Sequence, residues 1–329
     1  MRPHRHIARA LTLGFAMCLG TAAFAQPKPA SDGFPTKPIR FVIPYGPGNS
    51  VDVVTRMVAR KLHERLGWAT IVENRPGGRL TIAMQAVLDA PADGHTLLGS
   101  VSAMPVMPSA MKELQFDLLR DFEWITRTAN LQLMLAAGKS VQFQDAAQMV
   151  GYARKHPDEL KFAAYQPGSG THLVGEYFAD LNGIRMSHVP YKDSSFATDL
   201  AGGSIDLAIF SVTTLAPVLQ SGRARGLALL GKQRSPLFPD VPTTAEQGLP
   251  AIDVDIWAGI TAKAGTPRPI VDRLHKEIDA VLQLPEVKEF IVAQGGLPGG
   301  DTPAAFKAKV ASEVDMWRKL IQEKKIRTE

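Results

Sequence analysis

Two short stretches carry residue types and spacing that could do chemistry. "PYGPGNS" (44–50) closes the apolar run "IRFVIP" and opens a helical pattern, and "QPGSGTH" (166–172) stands in the same position after "LKFAAY". Both therefore read as strand–loop–helix. The start of a helix exposes unpaired N–H groups and a partial positive charge, so it attracts an anion. Gly46 and Gly48 allow a ligand close to the backbone, and Asn49 and Ser50 can cap the helix or donate to a ligand. The second loop brings the same equipment in Gly168, Ser169, Gly170 and Thr171. Each loop alone is also an ordinary capped turn. Facing each other from two domains, they would hold a small carboxylate without a permanent cation.

Other chemistries fit less well. A dinucleotide loop needs a third glycine, but Val51 and Leu173 occupy that place. A Walker loop needs a lysine that neither stretch has, and Pro44 and Pro47 remove two amide donors. Ser169 lies directly between Gly168 and Gly170, whereas a nucleophile elbow has its glycines two residues away. His172 and Glu176 are spaced i, i+4, a weak metal signal without further ligands, and no zinc motif or other metal set stands out. Asp206 follows "GGS" at the start of a strand, where it is either a turn residue or a cleft residue.

The elements that must position these loops alternate along the chain. Strand patterns occur at 39–44, 69–74, 95–100, 131–137, 160–165, 186–191, 205–210 and 225–230. Between them the first helix buries Val51, Val54, Val58 and Leu62 on one face, with Gly67 as its left-handed cap. Further helices are expected at 80–90, 146–156 and 171–181. A last helix has Thr302 as cap, Pro303 in its first turn, and a core stripe of Phe306, Val310, Val314, Trp317 and Ile321. Such alternation argues for an α/β fold with parallel sheets.

The 329 residues suit two domains, and 45% apolar with 21% charged residues is a globular composition. The chain opens as a signal peptide, with Arg2, Arg5 and Arg9, the apolar "LTLGFAMCLGTAAF" and the small-x-small "AFA". Cleavage is expected after Ala25, which places the mature protein in the periplasm. Three arginines leave with no acid, so the formal charge falls from +5 to +2 and no longer argues for nucleic acid. The one cysteine, Cys18, leaves as well, which removes thiol chemistry and Cys-ligated metal from the mature chain. Met17 before Cys18 is not the small residue a lipoprotein needs.

"FPTKPIRFVIPYGPGNSVD" (34–52) resembles the opening of the Bug family, the extracytoplasmic solute receptors of tripartite tricarboxylate transporters. The likeness continues in order through "ENRPG" (73–77), "ADGHTLL" (92–98), "HVPYKDS" (188–194), "GGSIDLAIFS" (202–211), "FPDVPTTAEQGLP" (238–250) and "AGTPRPIVDRL" (264–274). It implies a type II-like, two-domain periplasmic binding protein fold with two crossovers and a ligand cleft between the domains. Crossings near 130 and 234 give 26–130 plus 235–329 as domain one and 131–234 as domain two. The implied activity is non-enzymatic capture of a dicarboxylate, tricarboxylate or aromatic acid by cleft closure. No cofactor is implied. The implied partners are the membrane subunits of the transporter, with a sensor protein as an alternative, and the receptor is taken as a monomer that binds no nucleic acid. Carried over by position, the ligand residues are Tyr45, Gly46, Gly48, Asn49, Ser50, Gln166, Ser169, Gly170, Thr171 and His172, with Tyr191 and Asp206 from the later motifs.

The departures are informative. Asn49 stands where a second glycine is common, and Arg79 and Leu80 interrupt the glycines after "ENRPG". Arg79 is either a surface arginine or a cleft cation for a second carboxylate. Phe210 replaces a frequent aspartate and is either a core residue or an apolar ligand contact that disfavours amino acids. The rival function is a periplasmic hydrolase with His172 or His188 as base, for which the sequence offers no nucleophile and orienting group.

Overall fold

The computed structural model describes residues 33–111, 113–192, 194–252 and 256–324; the expected signal segment 1–25 lies outside the described residues. Its strands form two sheets. The first contains β1 (Ile39–Ile43), β2 (Thr70–Asn74), β3 (Thr96–Val101), β4 (Phe122–Leu131), β10 (Ile256–Lys263) and β11 (Gly296–Pro298), in the order β11-β4-β10-β3-β1-β2. The second contains β5 (Leu133–Ala137), β6 (Lys161–Tyr165), β7 (Ser187–Tyr191), β8 (Leu207–Ser211) and β9 (Arg225–Leu230), in the order β7-β6-β8-β5-β9.

Helices cover both faces of each sheet. α1 (Ser50–Leu66), α2 (Thr81–Leu88), α8 (Arg268–Leu282) and α9 (Pro285–Ala293) serve the first, and α3 (Met107–Ala110) joins both, Met107 in a core of the first and Ala110 in the core of the second. α4 (Ala146–Lys155), α5 (Gly170–Leu181), α6 (Phe196–Gly202) and α7 (Val212–Gln220) serve the second. α10 (Pro303–Lys324) serves both. Its Phe306, Val310 and Val314 join a core against the first sheet, while Trp317, Leu320 and Ile321 join the core of the second.

The sheets are mixed rather than wholly parallel. β1 pairs parallel with β2 and β3, and β6 with β7 and β8, because a helix returns the chain between these strands. β10, β4 and β11 join antiparallel, as do β5 with β8 and β9. Only Gln132 separates β4 from β5, so one extended run leaves the first sheet and enters the second. Such a strand has no crossover helix to reverse it.

The return crossing lies later than the expected 234. Thr243 bridges to Leu229, Leu229 donates to Pro242 O at 2.8 Å, and Gln247 Nε2 donates to Leu227 O at 2.8 Å. Gln247 Oε1 also accepts from Ala146 N at 2.7 Å, and Ile252 is buried in the second sheet's core. "FPDVPTTAEQGLP" thus lies along β9, and the chain rejoins the first sheet only at β10.

Candidate functional site: two loops and an apolar wall around one cleft

Loop one follows β1. Asn49 caps α1, its Oδ1 accepting from Val51 N at 2.9 Å. Gly48 has φ +84°, a left-handed turn that a glycine takes at low cost. Its N–H donates at 2.9 Å to Asp52, a carboxylate 2% exposed. Asp52 also accepts from Arg56 Nε at 3.0 Å and Asn74 Nδ2 at 2.8 Å, and Asn74 donates to Tyr45 O at 3.0 Å. Burial alone would raise the Asp52 pKa; the donors from Arg56, Gly48 and Asn74 together hold it below the usual carboxylate value. The "ENRPG" motif therefore ties loop one down through Asn74.

Loop two follows β6 and is built alike. Ser169 caps α5, accepting from His172 N at 3.3 Å, and Thr171 Oγ1 accepts from Tyr165 N at 3.0 Å. Gly168, at φ +79°, donates to His172 Nδ1 at 3.1 Å. Gln166 Nε2 donates to Tyr191 O at 3.1 Å.

The two loops border one cavity of about 800 Å³. Tyr45, Gly48, Asn49, Ser50 and Arg79 line it from the first sheet's side. Gln166, Ser169, Gly170, Thr171 and Tyr191 line it from the second's. Both Tyr45 and Tyr165 line the cavity, and burial first, with the Tyr165 phenol second, pushes the Tyr45 hydroxyl up to about 12. A Cβ on Gly170 would meet Ile256 Cδ1 of β10 at 2.8 Å, so this loop already touches the opposite sheet. Strands β1, β3, β6 and β8 all end here, the usual ligand crevice of an α/β sheet.

The tripartite tricarboxylate transporter family receptor model matches residues 54–326. The chain belongs to this receptor family. It is 34% identical over 317 residues to a UPF0065 protein in the tcbD-tcbE intergenic region of Pseudomonas sp. (strain P51), covering 96% of this chain and 94% of that protein. It is 33% identical to Protein BugT of Bordetella pertussis, covering 93% and 94%. Among solved structures, R. palustris Rpa4515 with adipate superposes with a TM-score of 0.76 at 30% identity, covering 88% of this chain and 97% of that one.

Four residues expected at the site stand outside the cavity lining of this family member. Gly46 meets open space where a Cβ would point. His172 is 6% exposed beneath loop two, where Nδ1 holds Gly168 and the ring lies 4.2 Å from His188. Asp206 precedes β8 at the end opposite the loops, about 16 Å away by strand rise. There it accepts from Ser140 Oγ and Lys161 N, both at 3.0 Å, and so locks strand starts together. Phe210 is fully buried, stacked on Phe196 at 3.9 Å. Alternation along β8 sends Ile209 to one core and Phe210 to the other. It touches the site only by backing Tyr165, edge to face at 4.9 Å.

Two further side chains are committed elsewhere. Tyr191 OH donates to Asp199 at 2.6 Å, and burial followed by that bond raises its pKa to about 12. Asn49 Oδ1 is spent on its cap, leaving the amide NH₂ as the group it can offer. Arg79 lines the cavity from the turn Gly78–Leu80, at φ +52°.

The structure adds residues that the sequence reading passed over. Ser211 caps α7 by accepting from Thr214 N at 3.3 Å, and both line the cavity. This is the same strand–Ser–helix signature as loop two, and the sequence "FSVTT" carries it legibly. Lys192 follows Tyr191 in a quoted motif, and among the described residues it has no ion pair. An apolar wall of Val106, Met107, Ala110, Met111 and Trp257 also lines the cavity and left no local signal, because only packing between the sheets brings these residues to the cleft. Among the described residues, no group of three His, Cys, Asp or Glu side chains could hold a metal, and no helix is long and apolar enough to cross a membrane.

Proposed function

We propose that this chain is a periplasmic receptor that binds a small organic carboxylate between its two sheets and presents it to the membrane subunits of a tripartite tricarboxylate transporter. The observation that carries the reading is the convergence of two capped loops, from different sheets, on one cavity. Ser50, Ser169, Gly170 and Thr171 supply first-turn donors to one carboxylate. Arg79 stands at the cavity edge for a second acidic group. The adipate in the R. palustris relative supports the ligand class.

The mature protein begins at Gln26 after signal cleavage, acts as a monomer and needs no cofactor. One lobe comprises 26–130 with the segment from β10 onward; the other runs from 131 to about 252. Closure follows from contacts that the ligand makes with both lobes at once. A sensor protein is the alternative partner.

Catalysis is disfavoured at the histidines. His172 Nδ1 is occupied by Gly168, and the Tyr165 carbonyl can only accept, so His188 Nε2 carries the proton at 3.0 Å. Neither ring lines the cavity.

A thermal-shift screen with a turnover assay tests the reading. A receptor is stabilised by carboxylates with no product formed; product formation would replace it with the hydrolase. Arg79→Ala, followed by calorimetry, should weaken a dicarboxylate about tenfold or more, and unchanged affinity would remove Arg79 from the site.

A further inference from the structure

We propose that the acid this cleft prefers has an apolar body, an aromatic ring or an unsubstituted methylene chain, rather than a hydroxylated di- or tricarboxylate skeleton. The inference rests on the receptor reading and deepens it to a substrate class.

The cavity lining is of two kinds. Hydroxyls and helix starts gather at the loops: Ser50, Ser169, Thr171, Ser211 and Thr214. The same lining also holds Val106, Met107, Ala110 and Met111, together with Leu133 and Trp257. None of the first five side chains can form a strong hydrogen bond. Trp257 has one donor, and its Nε1 is already 2.9 Å from Glu313 Oε2 in the core, so the indole offers the cavity only carbon. The wall is also firmly held. Val106 and Ala110 belong to the same buried cluster as Leu133, and Met107 is 4% exposed. α10 lies behind them and supports the segment.

This arrangement discriminates by desolvation. A ligand hydroxyl pressed against the wall loses its water and gains no partner, which lowers affinity by roughly tenfold or more. Each methylene covered there gains roughly fourfold. A four-carbon diacid seated at the loops is much smaller than the cavity of about 800 Å³ and would leave the wall wet. A ring or a longer chain would cover it, and the two methionines can shape themselves to either.

Calorimetry on the full mature chain, dialysed free of carried-over ligand, tests this with 3-phenylpropanoate and octanoate against malate and citrate. The expected result is binding of the apolar acids at least tenfold tighter, with a negative heat-capacity change. Met111→Gln, at the partly exposed end of the wall, should weaken 3-phenylpropanoate fivefold or more while the ligand-free protein melts at its original temperature. Malate or citrate binding as tightly as the apolar acids, or Met111→Gln without effect on 3-phenylpropanoate, overturns the apolar-body proposal and leaves the receptor standing. Failure of all four acids to bind or stabilise overturns the receptor reading itself. If Met111→Gln melts early, the wild-type ratio alone decides.

Discussion

Replacing Asp52 by asparagine should loosen loop one and lower the stability of the whole molecule. The side chain is almost completely buried and accepts three hydrogen bonds, from Gly48 N, Arg56 Nε and Asn74 Nδ2. A bond to an ionised acceptor contributes about 1.5–3 kcal/mol. The Arg56 side chain is 46% exposed, so solvent screening limits its charge contribution to about 1 kcal/mol or less. Asparagine keeps one acceptor oxygen but turns an NH₂ toward one of the remaining donors, leaving that donor unsatisfied. The expected loss is about 2–4 kcal/mol, or a melting temperature lower by roughly 5–15 °C.

The pH dependence gives a second reading of the same bond set. The folded pKa of Asp52 lies below the unfolded one, so its contribution is complete well above 3.8 and is lost as pH falls from there through the folded value. Urea unfolding of wild type and Asp52→Asn should therefore differ most near pH 7 and converge in strong acid. Hydrogen exchange at Gly48 should accelerate in the variant. Identical urea midpoints at pH 7, or a constant gap down to pH 3, would refute the argument that this carboxylate anchors the loop.

Three other substitutions probe the remaining parts. Ser169→Ala removes the α5 cap and should cost about 1 kcal/mol in chemical denaturation; carboxylate affinity by calorimetry should fall tenfold or more, and undiminished affinity would exclude the hydroxyl from the site. Phe210→Ala empties a fully buried, stacked position and should cost about 3–5 kcal/mol. A stability loss below about 1 kcal/mol would show that the side chain is not core. His188 titrates near 4, depressed first by burial and then by the charge of His172. The unfolded chain takes up that proton from 6.5 downward, so stability should decline as pH falls from 6.5 toward 4. His188→Gln should flatten that limb of the denaturation profile, and an unaltered slope would contradict the assignment.

The sequence alone determined what is local in this protein. Caps at Asn49 and Thr302, the left-handed Gly67 and the apolar stripes of α1 and α10 follow from spacing and residue type, and each appears where spacing put it. The two loops were legible for the same reason, since a strand, a short polar turn and a helix form one continuous piece of chain. Tertiary structure decided everything that depends on which strands lie side by side. Asp206 and Ser211 sit at opposite ends of one strand, yet only the sheet shows that Ser211 faces the cleft. Phe210 is a core residue because alternation along a buried strand turns it away from Ile209's side, and both sides there are apolar. Val106 and Ala110 of the wall meet Leu133 only because one extended run carries the chain from sheet to sheet at Gln132. Short-range preferences specify elements; the shape of a cleft between two sheets is a long-range property that spacing along the chain does not encode.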